Sequence, residues 1–333
     1  MNSIQILRLI ASLFIVNRHI NYLYDGTWHF LAFGIDIFFI ISGVILSHIV
    51  NNRDINSLNF ISLRLIRIIP LYYLLTIILF VFAIYFPSVV ENTSKLSYTD
   101  LFKSLFFIPF DKGYGLYRPL LVVGWTLNYS ILVYFLFGLS IALKKKINLN
   151  FSIHIFIILI FILSNFSDIK IIKDFYGAYY ILDFLLGILI YRFYKLKFIK
   201  FNYLITISIL LLIVLFYYLG IFDKDRPGNL MMILNMLLPA SLLVFFCINT
   251  YLPNKNYLIN ILIKLGEQSY ALFLSHYFVI SVIKIIFNYL DFNSFFYFYF
   301  TSVFLSVLTA SLLHNYFDLP LNKYLKNKLL KRG

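Results

Sequence analysis

Charged side chains are scarce in this 333-residue sequence. Asp, Glu, Lys and Arg together make up 13% of it, whereas hydrophobic residues make up 62%. Soluble domains are usually about a quarter charged and about half apolar. This composition therefore excludes an ordinary soluble protein and indicates a chain embedded in a membrane.

Cysteine is almost absent as well. The one cysteine, Cys247, lies inside a long apolar run, which excludes a disulfide framework and a cysteine-based metal site. The sequence has no Gly-rich phosphate loop, no His-Glu-x-x-His and no Gly-x-Ser-x-Gly, so we expect neither a metal cofactor nor a serine hydrolase. The net charge of +14 is scattered between apolar runs, which argues against nucleic-acid binding.

Long apolar runs are abundant, and runs of about 20 residues predict transmembrane helices. No cleavable signal peptide is recognised, so we expect the first run to remain as a span. The predicted fold class is an all-α polytopic membrane protein with about ten transmembrane helices. The predicted spans are 4–24, 30–50, 68–87, 121–143, 151–166, 175–194, 201–221, 230–250, 268–287 and 295–317.

Lysine and arginine are concentrated in alternate loops and in the C-terminal segment. Because positive loops face the cytoplasm, this pattern predicts that both termini are cytoplasmic. We expect residues 1–320 to form the transmembrane domain and residues 321–333 to form a basic tail that attracts anionic membrane lipid.

The first predicted helix contains two ionisable residues, Arg8 and His19. Such residues are costly in a membrane span and indicate a function by default. Their spacing of eleven residues puts both on one helix face, about 16 Å apart along the axis. His19 is suited to take a proton from a hydroxyl. The alternatives are that Arg8 extends to the lipid interface and that His19 only packs.

Asp36 lies in the second predicted helix at a depth similar to that of His19, because the connecting turn falls near residues 26–28. A carboxylate beside an imidazole can fix its tautomer and stabilise its protonated form. We therefore predict that Asp36 orients His19. A charge pair that merely satisfies two buried groups is the alternative.

Arg64 and Arg67 are three residues apart at the start of the third predicted helix, so they share a face. Arginine forks suit phosphates, although positive loop charge and lipid headgroups explain them too. Trp125 and Tyr129 at the outer end of the fourth helix, with Asp183 and His276 in later helices, are candidates for substrate binding. Packing and an interfacial aromatic belt are the alternatives.

Taken in order, these segments resemble the acyltransferase 3 family of integral membrane O-acyltransferases. The resemblance covers almost the whole chain. It depends on Arg8 with His19, Gly34-Ile-Asp-Ile-Phe-Phe-Ile-Ile-Ser-Gly43, Arg64-Leu-Ile-Arg-Ile-Ile-Pro-Leu-Tyr72, Trp125-Thr-Leu-Asn-Tyr129, Phe184-Leu-Leu-Gly187 and Ser269-Tyr with His276.

The resemblance implies transfer of an acyl group, usually acetyl, from cytoplasmic acyl-coenzyme A. The acceptor would be a hydroxyl of a cell-surface glycan or a lipid-linked saccharide, and the location the bacterial cytoplasmic (inner) membrane. Arg8 and His19 match the family's essential pair, and Arg64 and Arg67 match its cytoplasmic arginine motif. An additional extracytoplasmic esterase-like domain, which some members of the family carry, is not recognised in this sequence.

The sequence departs from the family pattern at Ser130, where a glutamate is expected after Trp-Thr-Leu-Asn-Tyr. Because of this departure, the sequence leaves open which class of acceptor is used and whether the protein is active. Two alternative functions stay open at this point: a transporter or flippase for a saccharide lipid, and an inactive scaffold of a polysaccharide machinery. Repeated halves with broken helices, which many transporters have, are not recognised in the sequence.

Overall fold

The computed structural model describes residues 2–25, 33–85, 97–111, 117–144, 147–196, 200–218, 233–252 and 256–330. The turn predicted near residues 26–28 lies outside these ranges.

Helices dominate the described residues, and two short parallel strands, β1 (Phe201–Asn202) and β2 (Thr250–Tyr251), pair Phe201 with Thr250. The helices are α1 Asn2–Asp25, α2 Gly34–Asn52, α3 Ser57–Tyr85, α4 Tyr98–Leu105, α5 Trp125–Leu143, α6 Leu149–Asn165, α7 Tyr180–Lys195, α8 Tyr203–Tyr218, α9 Leu238–Ile248, α10 Tyr257–Glu267, α11 Ser269–Tyr289, α12 Phe295–Leu313 and α13 Leu319–Leu330.

Within the described ranges, seven helical segments are long and apolar enough to cross a membrane. Three shorter apolar helices, at Phe151–Asn165, Tyr203–Phe216 and Asn235–Ile248, lie where the sequence predicts further spans. The prediction of an all-α polytopic membrane protein is confirmed.

Helix α3 begins well before the span predicted at 68–87. Its first turn is capped by the Asn56 side chain, whose Oδ1 accepts a hydrogen bond of 2.8 Å from the backbone N–H of Asn59. Such a cap satisfies a donor that the helix itself cannot pair. The helix therefore continues through the polar residues Arg64 and Arg67, which an apolar window passes over, and both arginines are helical.

The chain divides into two compact units. The first comprises Met1–Asn51 and Asp183–His314, and the second comprises Asn52–Leu182 and Asn315–Gly333. In the first unit, buried apolar side chains of α1, α2, α7, α8 and α9 form one hydrophobic core. In the second unit, α3 packs against α4, α5 and α13, and α5 packs against α6.

Two glycines, Gly43 and Gly187, lie at a close backbone contact between α2 and α7 in the first unit. A Cβ atom added to Gly187 would lie 2.1 Å from the backbone oxygen of Ile40, and one added to Gly43 would lie 2.3 Å from that of Phe184. Small residues allow this approach between membrane helices, where packing rather than hydrophobicity drives association. The glycines thus fix how deeply α2 and α7 interlock.

We predict that Gly187→Ala destabilises the protein, because the added methyl group must force two backbones apart. Overpacking of this kind costs about 1–3 kcal/mol, which corresponds to a decrease of roughly 5 °C in the midpoint of thermal unfolding. The measurement is thermal unfolding of the purified protein in detergent. Gly138→Ala is the control, because its methyl group meets the movable end of the Ile61 side chain; equal decreases in both variants would contradict the prediction.

Candidate active site

Helices α1 and α11 run parallel in the first unit, with a fixed register. Ser12 Oγ lies 3.5 Å from the backbone oxygen of Ser269, and two turns further along each helix His19 Nδ1 lies 3.1 Å from His276 Nε2. Both pairs are separated by 257 positions in the sequence. Residues seven apart lie on nearly the same helix face, so one register brings both pairs together.

The two histidines form a buried pair. His19 is 9% exposed and His276 is fully buried, and their ring centroids are 4.9 Å apart. Each Nδ1 also lies close to a carbonyl of its own helix, at 2.9 Å from Ile15 O for His19 and 3.0 Å from Leu272 O for His276. The edge of Tyr277 packs against the His19 ring. The structure therefore brings together a predicted catalytic residue and a predicted substrate-binding residue.

Arg8 lies on the same continuous helix as His19, nearer its N-terminus, and is half-buried. Its Nη1 donates a hydrogen bond of 3.1 Å to Oε1 of Gln5, one turn earlier. Since α1 is helical throughout, the predicted axial separation of about 16 Å between Arg8 and His19 applies. An arginine side chain does not extend that far, so the two residues act at different points.

Asp36 and Asp183 form a second buried group, where α2 and α7 interlock. Both side chains are almost completely buried, and the two carboxyl groups interact electrostatically. Neither oxygen of Asp183 has a hydrogen-bond partner among the described residues. Two buried carboxyl groups this close can both be ionised only at a large cost, so the arrangement suggests a function. The predicted role of Asp36 in orienting His19 stays a prediction.

In the second unit, Arg64 and Arg67 belong to a cationic cluster. Arg67 Nη1 lies 2.6 Å from Oδ2 of the buried Asp318, and Asn322 Nδ2 donates a hydrogen bond of 2.7 Å to the other oxygen of that carboxylate. Lys326, on the same helix α13, interacts electrostatically with both arginines and with Arg53. The cations outnumber the carboxylate, so the cluster can bind an anion.

Within this cluster, Arg64 gives a second indication of anion binding. Its Nε is buried and has no hydrogen-bond partner among the described residues. A buried donor without a partner is costly, and a ligand with an anionic oxygen that accepts its hydrogen bond would remove that cost. The cationic cluster of Arg53, Arg64, Arg67 and Lys326 therefore combines positive charge with one buried donor that has no partner among the described residues.

An aromatic cluster surrounds the start of α5, also in the second unit. Trp125 packs 4.9 Å from Tyr180, and Tyr129 stacks 4.6 Å from Phe175, as measured between ring centroids. The Tyr129 hydroxyl donates a hydrogen bond to the backbone oxygen of Phe175, so this hydroxyl helps to hold the fold together. Trp125 is only partly buried, so part of its ring is accessible.

Three features of these clusters were not predicted from the sequence. The sequence predicts only a basic tail for Lys326 and no role for Asp318. The packing of α13 against α3 brings Lys326, and Asp318 just before that helix, to the arginines. The contact of His276 with His19 required the register between two helices far apart in the sequence. Asn128 is 3% exposed, and neither amide atom has a hydrogen-bond partner among the described residues; its place between Trp125 and Tyr129 was the available signal.

The sequence matches the family model of an acyltransferase domain, Acyl_transf_3, over residues 1–315. It is also 33% identical over 168 residues to the exopolysaccharide production protein ExoZ of Rhizobium meliloti (strain 1021). That alignment covers 49% of this chain and 51% of the relative, so the chain spans about half the length of the curated relative that it matches. No solved structure matches the chain.

The family match extends over almost the whole chain, and it includes every predicted site residue from Arg8 to His276. The resemblance noted in the sequence is thereby confirmed, and the chain belongs to the acyltransferase 3 family.

Proposed function

We propose that this protein transfers an acyl group, in the simplest case acetyl, from cytoplasmic acyl-coenzyme A to a hydroxyl group of a surface glycan or lipid-linked saccharide. The buried His19–His276 pair is the observation that supports this proposal most directly. It provides a proton acceptor, held from two sides, within a membrane helix. The similarity to a protein of exopolysaccharide production supports a saccharide as the acceptor.

In the proposed reaction His19 acts as general base. It removes the proton from the acceptor hydroxyl, whose oxygen attacks the thioester carbonyl carbon of the donor. The carbon–sulfur bond then breaks, an ester forms, and the proton passes from His19 to the leaving thiolate to give coenzyme A. The proton balance closes within the site, so no metal and no redox cofactor is required.

Arg8 is proposed to bind the polar arm of the donor rather than its reacting carbonyl. The carbonyl must lie near His19, and Arg8 is about 16 Å away along the helix axis. A long, thin acyl-coenzyme A arm has amide oxygens and phosphates that a guanidinium can bind. Arg8 therefore holds the donor while His19 carries out the proton transfer.

The phosphates of the donor are assigned to the cationic cluster. The ion pair with the buried Asp318 holds the Arg67 guanidinium in a defined orientation. Arg64 contributes its unpaired buried donor, and Lys326 adds a third charge. This combination favours a multiply charged anion over a single carboxylate.

The saccharide is assigned to the aromatic cluster. A partly exposed indole such as that of Trp125 offers an apolar face to a sugar ring, and Asn128 offers a donor and an acceptor for hydroxyl groups. Within the first unit, Asp36 and Asp183 are proposed as polar groups that assist the chemistry at His19. The location proposed for this multi-pass protein is the bacterial cytoplasmic membrane.

We predict that purified protein in proteoliposomes transfers labelled acetyl from acetyl-coenzyme A to a glycan or lipid-linked saccharide. His19→Ala should lower this rate by at least about 100-fold, because general base catalysis contributes roughly 10²- to 10⁴-fold. His48→Ala, at an exposed position of α2, is the control and should keep the wild-type rate. Normal turnover by His19→Ala would refute the proposed role, whereas saccharide movement without acetyl transfer would favour a flippase.

We predict that Arg64→Gln and Lys326→Gln each raise the KM for acetyl-coenzyme A by roughly tenfold, with little change in kcat. Loss of one charge-assisted contact to a phosphate corresponds to a change of this size. The measurement is repeated with acetyl-N-acetylcysteamine, a thioester without phosphates, for which the variants should match the wild type. Lys328→Gln, at an exposed position of the same helix, is the control. An equal defect with both thioesters would show that the cluster does not bind the phosphates.

A further inference from the structure

The side-chain contacts of His19 and His276 determine where their protons lie. We propose that His276 is a positioning residue that holds His19 in the tautomer with its proton on Nδ1, so that Nε2 of His19 is the atom that acts as base. This inference rests on the proposed function, in which His19 is the general base. It gives His276 a different task from the substrate binding that the sequence indicated.

The proton on His276 is fixed by its own helix. Its Nδ1 lies 3.0 Å from the backbone oxygen of Leu272, one turn earlier. A carbonyl oxygen can only accept a hydrogen bond, so Nδ1 of His276 must be the donor. A neutral imidazole carries one N–H group, and Nε2 of His276 therefore presents a lone pair to His19.

The proton on His19 follows from the same reasoning. Among the described residues its Nδ1 faces two acceptors, the backbone oxygen of Ile15 at 2.9 Å and Nε2 of His276 at 3.1 Å. One N–H group on Nδ1 serves both as a bifurcated donor. In the neutral ring the lone pair is then on Nε2, the position from which a base removes a proton.

The opposite arrangement conflicts with two contacts. If Nε2 of His276 donated to His19, the lone pair of His19 Nδ1 would face the lone pairs of Ile15 O at 2.9 Å. His276 would also need both ring protons, which places an imidazolium at a fully buried position of a membrane helix. The carbonyl groups of Ile15 and Leu272 thus select one tautomer for each ring.

This arrangement also serves the second half of the reaction. When Nε2 of His19 takes the hydroxyl proton, the N–H group on Nδ1 continues to donate to His276 and to Ile15, and both acceptors stabilise the imidazolium. The proton then leaves from Nε2 to the thiolate. His276 keeps its own proton throughout, so it positions and stabilises His19 and does not relay protons.

The direct test is ¹⁵N nuclear magnetic resonance of the wild-type protein with labelled histidine, reconstituted in lipid. The His19 signals are identified by their disappearance in His19→Gln. We expect a protonated Nδ1 and an unprotonated Nε2 at neutral pH. A protonated Nε2 with an unprotonated Nδ1 would overturn the inference, whether or not the protein transfers acyl groups.

Variants of His276 provide the functional test. In His276→Gln the amide oxygen can still accept from Nδ1 of His19, so we expect kcat within about threefold of the wild type. His276→Leu removes the acceptor and should lower kcat by roughly 10- to 100-fold, the value of a hydrogen bond to a charged group, with KM for acetyl-coenzyme A unchanged. The matched control is Ser275→Ala, which removes a buried hydroxyl that donates to the backbone oxygen of Ala271 in the same helix.

Equal loss of kcat in His276→Gln and His276→Leu would mean that His276 only fills space, and it would refute the inference. Full activity of His276→Leu would refute it as well. Thermal unfolding of each variant identifies any that fails to fold, and the tautomer measurement on the wild type then decides. Failure of the proposed function would appear separately, as an active His19→Ala variant beside an unchanged tautomer.

Discussion

The parallel contact of α1 with α11 is the interaction on which the proposed chemistry depends. Water does not reach the hydrocarbon core of a membrane, so each polar group there must find its partner within the protein. His19 and His276 do so by bonding to carbonyls of their own helices and to each other. A register shift of one residue between the helices would move one histidine about 100° around its helix, away from the other histidine. Helix packing, rather than a loop, therefore positions the base.

Helix packing also forms the second buried group of the first unit. Asp36 and Asp183 come together because Gly43 and Gly187 let α2 and α7 approach to backbone contact. The groups proposed for proton chemistry thus belong to one unit, and the cationic and aromatic clusters belong to the other.

Much of this arrangement is readable from the sequence, because local periodicity encodes it. The apolar runs predict the spans, and the spacing of Arg8 and His19 predicts a shared face of one helix. The partner of His19 at Nδ1 was not predictable in this way. Depth in the membrane pointed to Asp36, but contact with His276 depends on a register between segments that are 257 residues apart. The role of Asp318 was not predictable for a related reason. Asp318 ends a π-helical turn, His314–Asp318, that precedes α13, and no periodic pattern in the sequence indicates the ion pair of Asp318 with Arg67.

This chain has Ser130 where the family pattern has a glutamate, and the surroundings of Ser130 bear on whether activity needs that glutamate. Its hydroxyl donates a hydrogen bond of 3.1 Å to the backbone oxygen of Thr126, so it is satisfied within α5 and adds no charge there. The neighbouring Asn128 has the unpaired polar atoms, and an amide can bind the neutral hydroxyl groups of a sugar as donor and acceptor. The proposed base is His19, with its tautomer set by two carbonyls and His276, so the reaction does not need a carboxylate at position 130. In the proposed reaction, serine at position 130 would change how the acceptor is held more than how its proton is removed.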